Sequence, residues 1–122
     1  MKDRIRPPEE LEKVLDQLKD DGVFETKQKG MMFAAAIGYA LHRDEVDRTE
    51  IDQLGEGIRL EYFRKPDDED FIDALAVTAR GDLKVLADER QDERIDLFQR
   101  CAFHGLTEMK RSCYDEKPEY PL

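Results

Sequence analysis

The stretch Met31-Met32-Phe33-Ala34-Ala35-Ala36-Ile37-Gly38-Tyr39-Ala40-Leu41 decides the fold. It is apolar on nearly every side of a helix, and such a helix belongs in a core or at an oligomer seam. Thr26 is placed to cap the start of this helix. Gly30, Gly38 and the alanines leave room for another backbone to come close. In a chain of 122 residues, burying every side of this helix calls for a second subunit. We therefore expect a homo-oligomer with Met31, Phe33, Ile37 and Leu41 at its interface.

Upstream, Lys2, Arg4 and Arg6 alternate with Asp3 and Ile5, which is strand periodicity. Pro7 and Pro8 stop the ladder and pre-set a helix start. Glu9, Glu10 and Glu12 fall in the first turn, where the helix dipole favours anions. Leu11, Val14, Leu15 and Leu18 follow at i, i+3, i+4, i+7 and make one buried face. Asp21-Gly22 ends this helix, with Gly22 able to take a left-handed cap.

Downstream, residues 42–57 are polar and read mainly as a loop ending in Gly55-Glu56-Gly57. Residues 58–63 read as a short strand with Ile58, Leu60 and Tyr62 on one face. The acidic run Asp67-Asp68-Glu69-Asp70 opens a helix bearing Phe71, Ile72, Leu75, Ala76 and Ala79, and Gly81 breaks it. A short helix over 82–88 precedes a longer one over 92–114, with Ile95, Phe98, Ala102, Leu106 and Met109 as its buried stripe and Gly105 as a bend point. The expected fold is mainly α: one small helical domain over 1–114. It begins with a strand–helix–helix (ribbon-helix-helix-like) unit over 1–43. One further short strand and an acidic helical part over 58–114 follow, then a loose tail over 115–122.

The charge is uneven. Lys plus Arg number 20 and Asp plus Glu 30, a formal net charge of −10. Residues 1–43 balance eight cations against eight anions, so the whole excess lies downstream. An acidic segment repels phosphate, so a nucleic-acid contact is expected only in the first third. The set expected there is Lys2, Arg4 and Arg6 on the strand, with Lys27 and Lys29 by the second helix start. Ribbon-helix-helix proteins use this order to lay paired strands in a DNA groove. The competing reading is a solvated basic arm and an acidity that serves solubility.

No apolar run approaches the ~20 residues of a membrane helix. The charged N-terminus lacks the apolar region of a secretion signal, so a cytoplasmic, membrane-free protein is expected. Cys101 and Cys113, on one predicted helix, would stand ~18 Å apart, beyond disulfide reach. Pro66-Asp67 with Asp82-Leu83-Lys84 fits the loose pattern of a PD-(D/E)xK nuclease, but that chemistry needs adjacent strands, and both acids fall at helix starts, where the dipole accounts for each. His42 and His104 have no Cys or His at ligand spacing, so no metal and no cofactor is expected. No catalytic residue stands out, and we expect no enzyme.

The residues Ile5-Arg6-Pro7-Pro8-Glu9-Glu10, 24–29 (Phe-Glu-Thr-Lys-Gln-Lys), 32–39 (Met-Phe-Ala-Ala-Ala-Ile-Gly-Tyr) and 55–59 (Gly-Glu-Gly-Ile-Arg) resemble the small dnd system-associated protein 4 family. Those proteins are encoded beside bacterial DNA phosphorothioation (Dnd) modification and restriction systems. The helical order also resembles DndE, a small oligomeric DNA-binding component of the same systems. The first resemblance implies a non-catalytic accessory role in phosphorothioate-linked phage defence, with other Dnd-type proteins as partners. Two roles follow: DNA contact through the N-terminal cations, or docking of the acidic part on a larger Dnd-type enzyme, as an adaptor or DNA mimic.

Overall fold

The computed structural model describes residues 2–63 and 66–115. Strand β1 (Arg4–Ile5) leads into helix α1 (Glu9–Asp20), then α2 (Lys27–Val46), strand β2 (Ile58–Arg59), α3 (Pro66–Arg80) and α4 (Gln91–Lys110). Two short 3-10 turns, Leu83–Leu86 and Asp88–Arg90, link α3 to α4, and a π-helical turn, Arg111–Asp115, follows α4. The expected tail over 115–122 therefore lies outside the described residues, apart from Asp115.

The local signals build these elements as chemistry requires. Thr26 accepts a 3.2 Å hydrogen bond from the Lys29 amide and caps α2. Gly22 takes φ +78° just past α1, and Gly81 takes φ +66° just past α3. Leu11, Val14, Leu15 and Leu18 are all buried, as are Ile95, Phe98, Ala102, Leu106 and Met109.

Helix α4 is the centre of the molecule and packs against α1, α2 and α3. Its Leu97, Cys101 and Gly105 are also buried, on sides the stripe did not include. Phe98 meets Phe63 and Phe71 edge-to-face, with centroids 6.1 and 6.4 Å apart.

Gly105 does not bend α4, which runs unbroken from Gln91 to Lys110. It is a contact point. A β-carbon there would lie 1.7 Å from the carbonyl oxygen of Ala34. One on Gly38 would lie 1.8 Å from that of Cys101. The close approach that the small residues of α2 permit is thus made within the chain, by α4, and needs no second subunit.

Helix α2 extends through Val46, past the loop start expected at His42, and its helical backbone is interrupted at His42 itself (φ −134°, ψ 26°). The strand expected over 58–63 is only Ile58–Arg59; Leu60–Phe63 coil into a 3-10 turn that buries Phe63 and exposes Tyr62.

Strand β1 pairs with β2 of the same chain, antiparallel, Arg4 opposite Arg59 and Ile5 opposite Ile58. Backbone bonds extend the pairing at both ends: Leu60 N to Asp3 O (2.8 Å), Gly55 N to Pro7 O (2.7 Å) and Glu9 N to Gln53 O (2.9 Å). Between the Ile5–Ile58 pair and the Pro8–Leu54 bridge, two residues of the first strand lie opposite three of the second. This is a β-bulge, and Gly57 supplies its left-handed residue at φ +76°.

Candidate functional site

Three places carry chemistry: the N-terminal cations, an acidic groove, and a histidine pair. The bulge explains the first. A bulge leaves backbone groups outside the ladder, and these need other partners. The Glu12 carboxylate accepts from the amides of Glu56 (3.0 Å) and Gly57 (2.7 Å). On the other side, Arg6 donates to the carbonyls of Gly55 (2.7 Å) and Leu54 (3.3 Å), and Arg4 to that of Glu56 (3.5 Å). The Arg6 amide donates to the buried Gln99 side chain at 2.7 Å.

The three lysines of the expected set are ion-paired. Lys2 Nζ lies 3.3 Å from Asp96, and its backbone amide donates to Asp92 at 2.8 Å. Lys27 sits between Asp16 (3.0 Å) and Glu12 (3.4 Å). Burial works against its charge, but the hydrogen bond it donates to Asp16 and the two carboxylate charges outweigh it and hold Lys27 above the ordinary lysine value. Lys29 lies 3.3 Å from Asp68, whose side chain is only 4% exposed. That carboxylate belongs to the acidic run that opens α3, and the structure buries it. Lys2, Arg4 and Arg6 line one shallow groove with Asp3, Leu54, Glu56 and Gln99, which Lys27 and Lys29 do not join.

The second place is a groove between the start of α1, residues 50–53 and the end of α4. Glu9, Glu10, Glu50 and Asp52 line it with Phe103, Thr107, Lys110 and Arg111 among others. The four carboxylates are exposed and carry no ion pair among the described residues. Lys110 is paired with Asp115 (3.3 Å) and Arg111 with Glu108 (2.8 Å).

The expected interface residues separate. Met31 is fully buried inside the chain, while Phe33 is 53% and Leu41 64% exposed. With the exposed Ala36 and Ala40 and the half-buried Ile37, they form a stripe at i, i+3, i+4, i+7, i+8 on the outer face of α2.

Sequence spacing missed the third place. His42 and His104, far apart in the chain, stack with ring centroids 4.9 Å apart because α2 packs on α4. His42 contacts Glu45 through Nδ1 (3.4 Å) and Glu108 through Nε2 (3.0 Å). Hydrogen bonding to Glu108, and then to Glu45, holds His42 above the ordinary histidine value. Burial, then the charge of His42, hold His104 below it. Ligand atoms of His42, Glu45 and His104 all lie within 4.8 Å of one another.

Asp82 of the nuclease-like pattern caps the first 3-10 turn through the Lys84 amide (2.9 Å), and Asp67 lies in the first turn of α3. Cys101 is a buried free thiol and Cys113 an exposed one. No helix among the described residues is long and apolar enough to cross a membrane.

Comparison with known proteins adds the family. No curated protein and no solved structure matches the chain. A family model does, over residues 4–121, and its family is associated with DNA sulphur modification (Dnd) systems. That match spans β1 to the end of the described chain and takes in the bulge, the groove and the histidine pair; the chain belongs to the DNA sulphur modification system-associated protein 4 family.

Proposed function

We propose that this chain is a non-catalytic accessory protein of a DNA sulphur modification system. It docks through its acidic groove on a basic surface of a larger system protein, without gripping DNA itself. One observation carries the reading. The lysines suited to phosphate are paired internally, with Asp96, with Asp16 and Glu12, and with Asp68, while Glu9, Glu10, Glu50 and Asp52 stay unpaired in the groove. Moving Lys29 to a phosphate would take from the buried Asp68 carboxylate the cation that offsets its burial. A basic segment entering the groove meets charges already exposed, and long-range attraction would speed its encounter.

The test is co-purification from cells carrying the whole operon, with and without nuclease. The reading expects a basic system protein to be retained after nuclease digestion, released by salt, and lost with Glu9→Gln/Glu10→Gln/Glu50→Gln/Asp52→Asn together. Retention that disappears on nuclease treatment would contradict it.

A second reading rests on the outer face of the ladder, where Arg4 stands opposite Arg59. That pair would meet DNA phosphates, with Arg6, Lys2, Lys27 and Lys29 beside it. Self-association is part of either reading: the exposed stripe Phe33, Ile37 and Leu41 offers an apolar face that a second copy would cover.

A further inference from the structure

We propose that His42, His104 and Glu45 form a binding site for a divalent transition metal of the zinc class. The site sits where α4 meets the interrupted end of α2, and the ligand set is the two-histidine, one-carboxylate kind that borderline-soft ions prefer. Tetrahedral zinc, with ligand distances of about 2.0–2.2 Å, spaces its donors about 3.3 Å apart. Nδ1 of His42 and Oε1 of Glu45 already stand at 3.4 Å. All three ligand atoms lie within 4.8 Å of one another, and the stacked rings turn for both to meet one ion.

The surroundings give each ring a hydrogen-bond partner outside the ligand cluster. Metal-bound histidines donate their second ring nitrogen to an outer acceptor. Nε2 of His42 has one in Glu108, at 3.0 Å. An ionised carboxylate only accepts, so this nitrogen carries a proton; Nδ1 faces the Glu45 carboxylate at 3.4 Å, and a metal bound there takes the place of any proton it carries. For His104 the acceptor is Thr49. The Thr49 hydroxyl has one hydrogen and gives it to the carbonyl of Glu45 at 2.8 Å. Toward Nε2 of His104, 2.6 Å away, it can therefore only accept. The proton of His104 sits on Nε2, and its lone pair is on Nδ1. Each histidine thus has an outer partner on one nitrogen and a ligand face on the other. Three protein ligands leave a fourth position for water or for a donor from a partner.

The test uses tag-free full-length chain carrying Cys113→Ser, which removes the exposed thiol as a competing ligand. Zn²⁺ is titrated by calorimetry and Co²⁺ by visible absorption. The proposal expects one saturable equivalent, tetrahedral cobalt bands without thiolate charge transfer, and at least about a tenfold loss of affinity in His104→Ala. Glu45 is exposed, so Glu45→Gln keeps the fold and should weaken binding similarly. Thr49→Val, which removes the outer acceptor and leaves all three ligands in place, should weaken it less than either ligand change. Absence of saturable Zn²⁺ and Co²⁺ binding would overturn the proposal, and so would binding that Glu45→Gln and His104→Ala leave unchanged.

Discussion

Gly38 of α2 and Gly105 of α4 lie where the two helices meet backbone to backbone: a β-carbon on Gly38 would lie 2.9 Å from the Gly105 amide nitrogen and closer still to the Cys101 carbonyl. Backbone on both sides leaves nothing flexible to give way. Gly38→Ala and Gly105→Ala should each cost roughly 3 kcal/mol or more, beyond ordinary overpacking. Urea denaturation would show this as a fall in midpoint. Gly22→Ala is the comparison, since a β-carbon there meets nothing within 4 Å and only its positive φ is strained.

Glu12 ties α1 to the bulge through two amide hydrogen bonds. Glu12→Ala orphans the amides of Glu56 and Gly57 and should cost about 1–3 kcal/mol. It also takes one of the two carboxylates from Lys27. Hydrogen exchange would read the change locally, as faster exchange at residues 56 and 57 with little effect on α4.

Burial pushes the Cys101 thiol up to about 12, while Cys113 is exposed. A thiol-specific reagent at mildly alkaline pH should therefore label one cysteine per native chain, since the thiolate is the reacting species. Unfolding in denaturant should bring the second into reach. Rapid labelling of both in the native protein would contradict the burial of Cys101 under α2.

Phe33, Ile37 and Leu41 share the outer face of α2. If a second copy covers that face, Phe33→Ser/Leu41→Glu should shift light-scattering mass toward the monomer while circular dichroism keeps the helical content of the chain. A wild-type monomer at micromolar concentration would remove the self-association proposal.

What the sequence made legible was local. The stripes of α1 and α4 show as 3.6-residue periodicity, and Thr26 and Gly22 act within a few residues of themselves. What it hid was pairing. Periodicity says that Gly38 seeks a close neighbour, not that the neighbour is Cys101 of α4. An acidic run at a helix start looks solvated until Lys29, 39 residues away, closes over Asp68. The bulge was hidden because Gly55-Glu56-Gly57 reads as a loose loop unless residues 5–9 are known to lie beside it. The histidine pair was hidden because ligand spacing is counted along the chain, whereas the helix crossing brings distant residues together.

Binding of labelled duplex DNA, with and without phosphorothioate linkages, measured by fluorescence anisotropy at low salt, tests the central claim most directly. If the cations are committed inside the fold, the isolated chain should leave the anisotropy of both duplexes unchanged. Saturable binding that weakens steeply with salt and is abolished by Arg4→Ala/Arg6→Ala would contradict docking as the primary role and return the N-terminal arginines to the DNA.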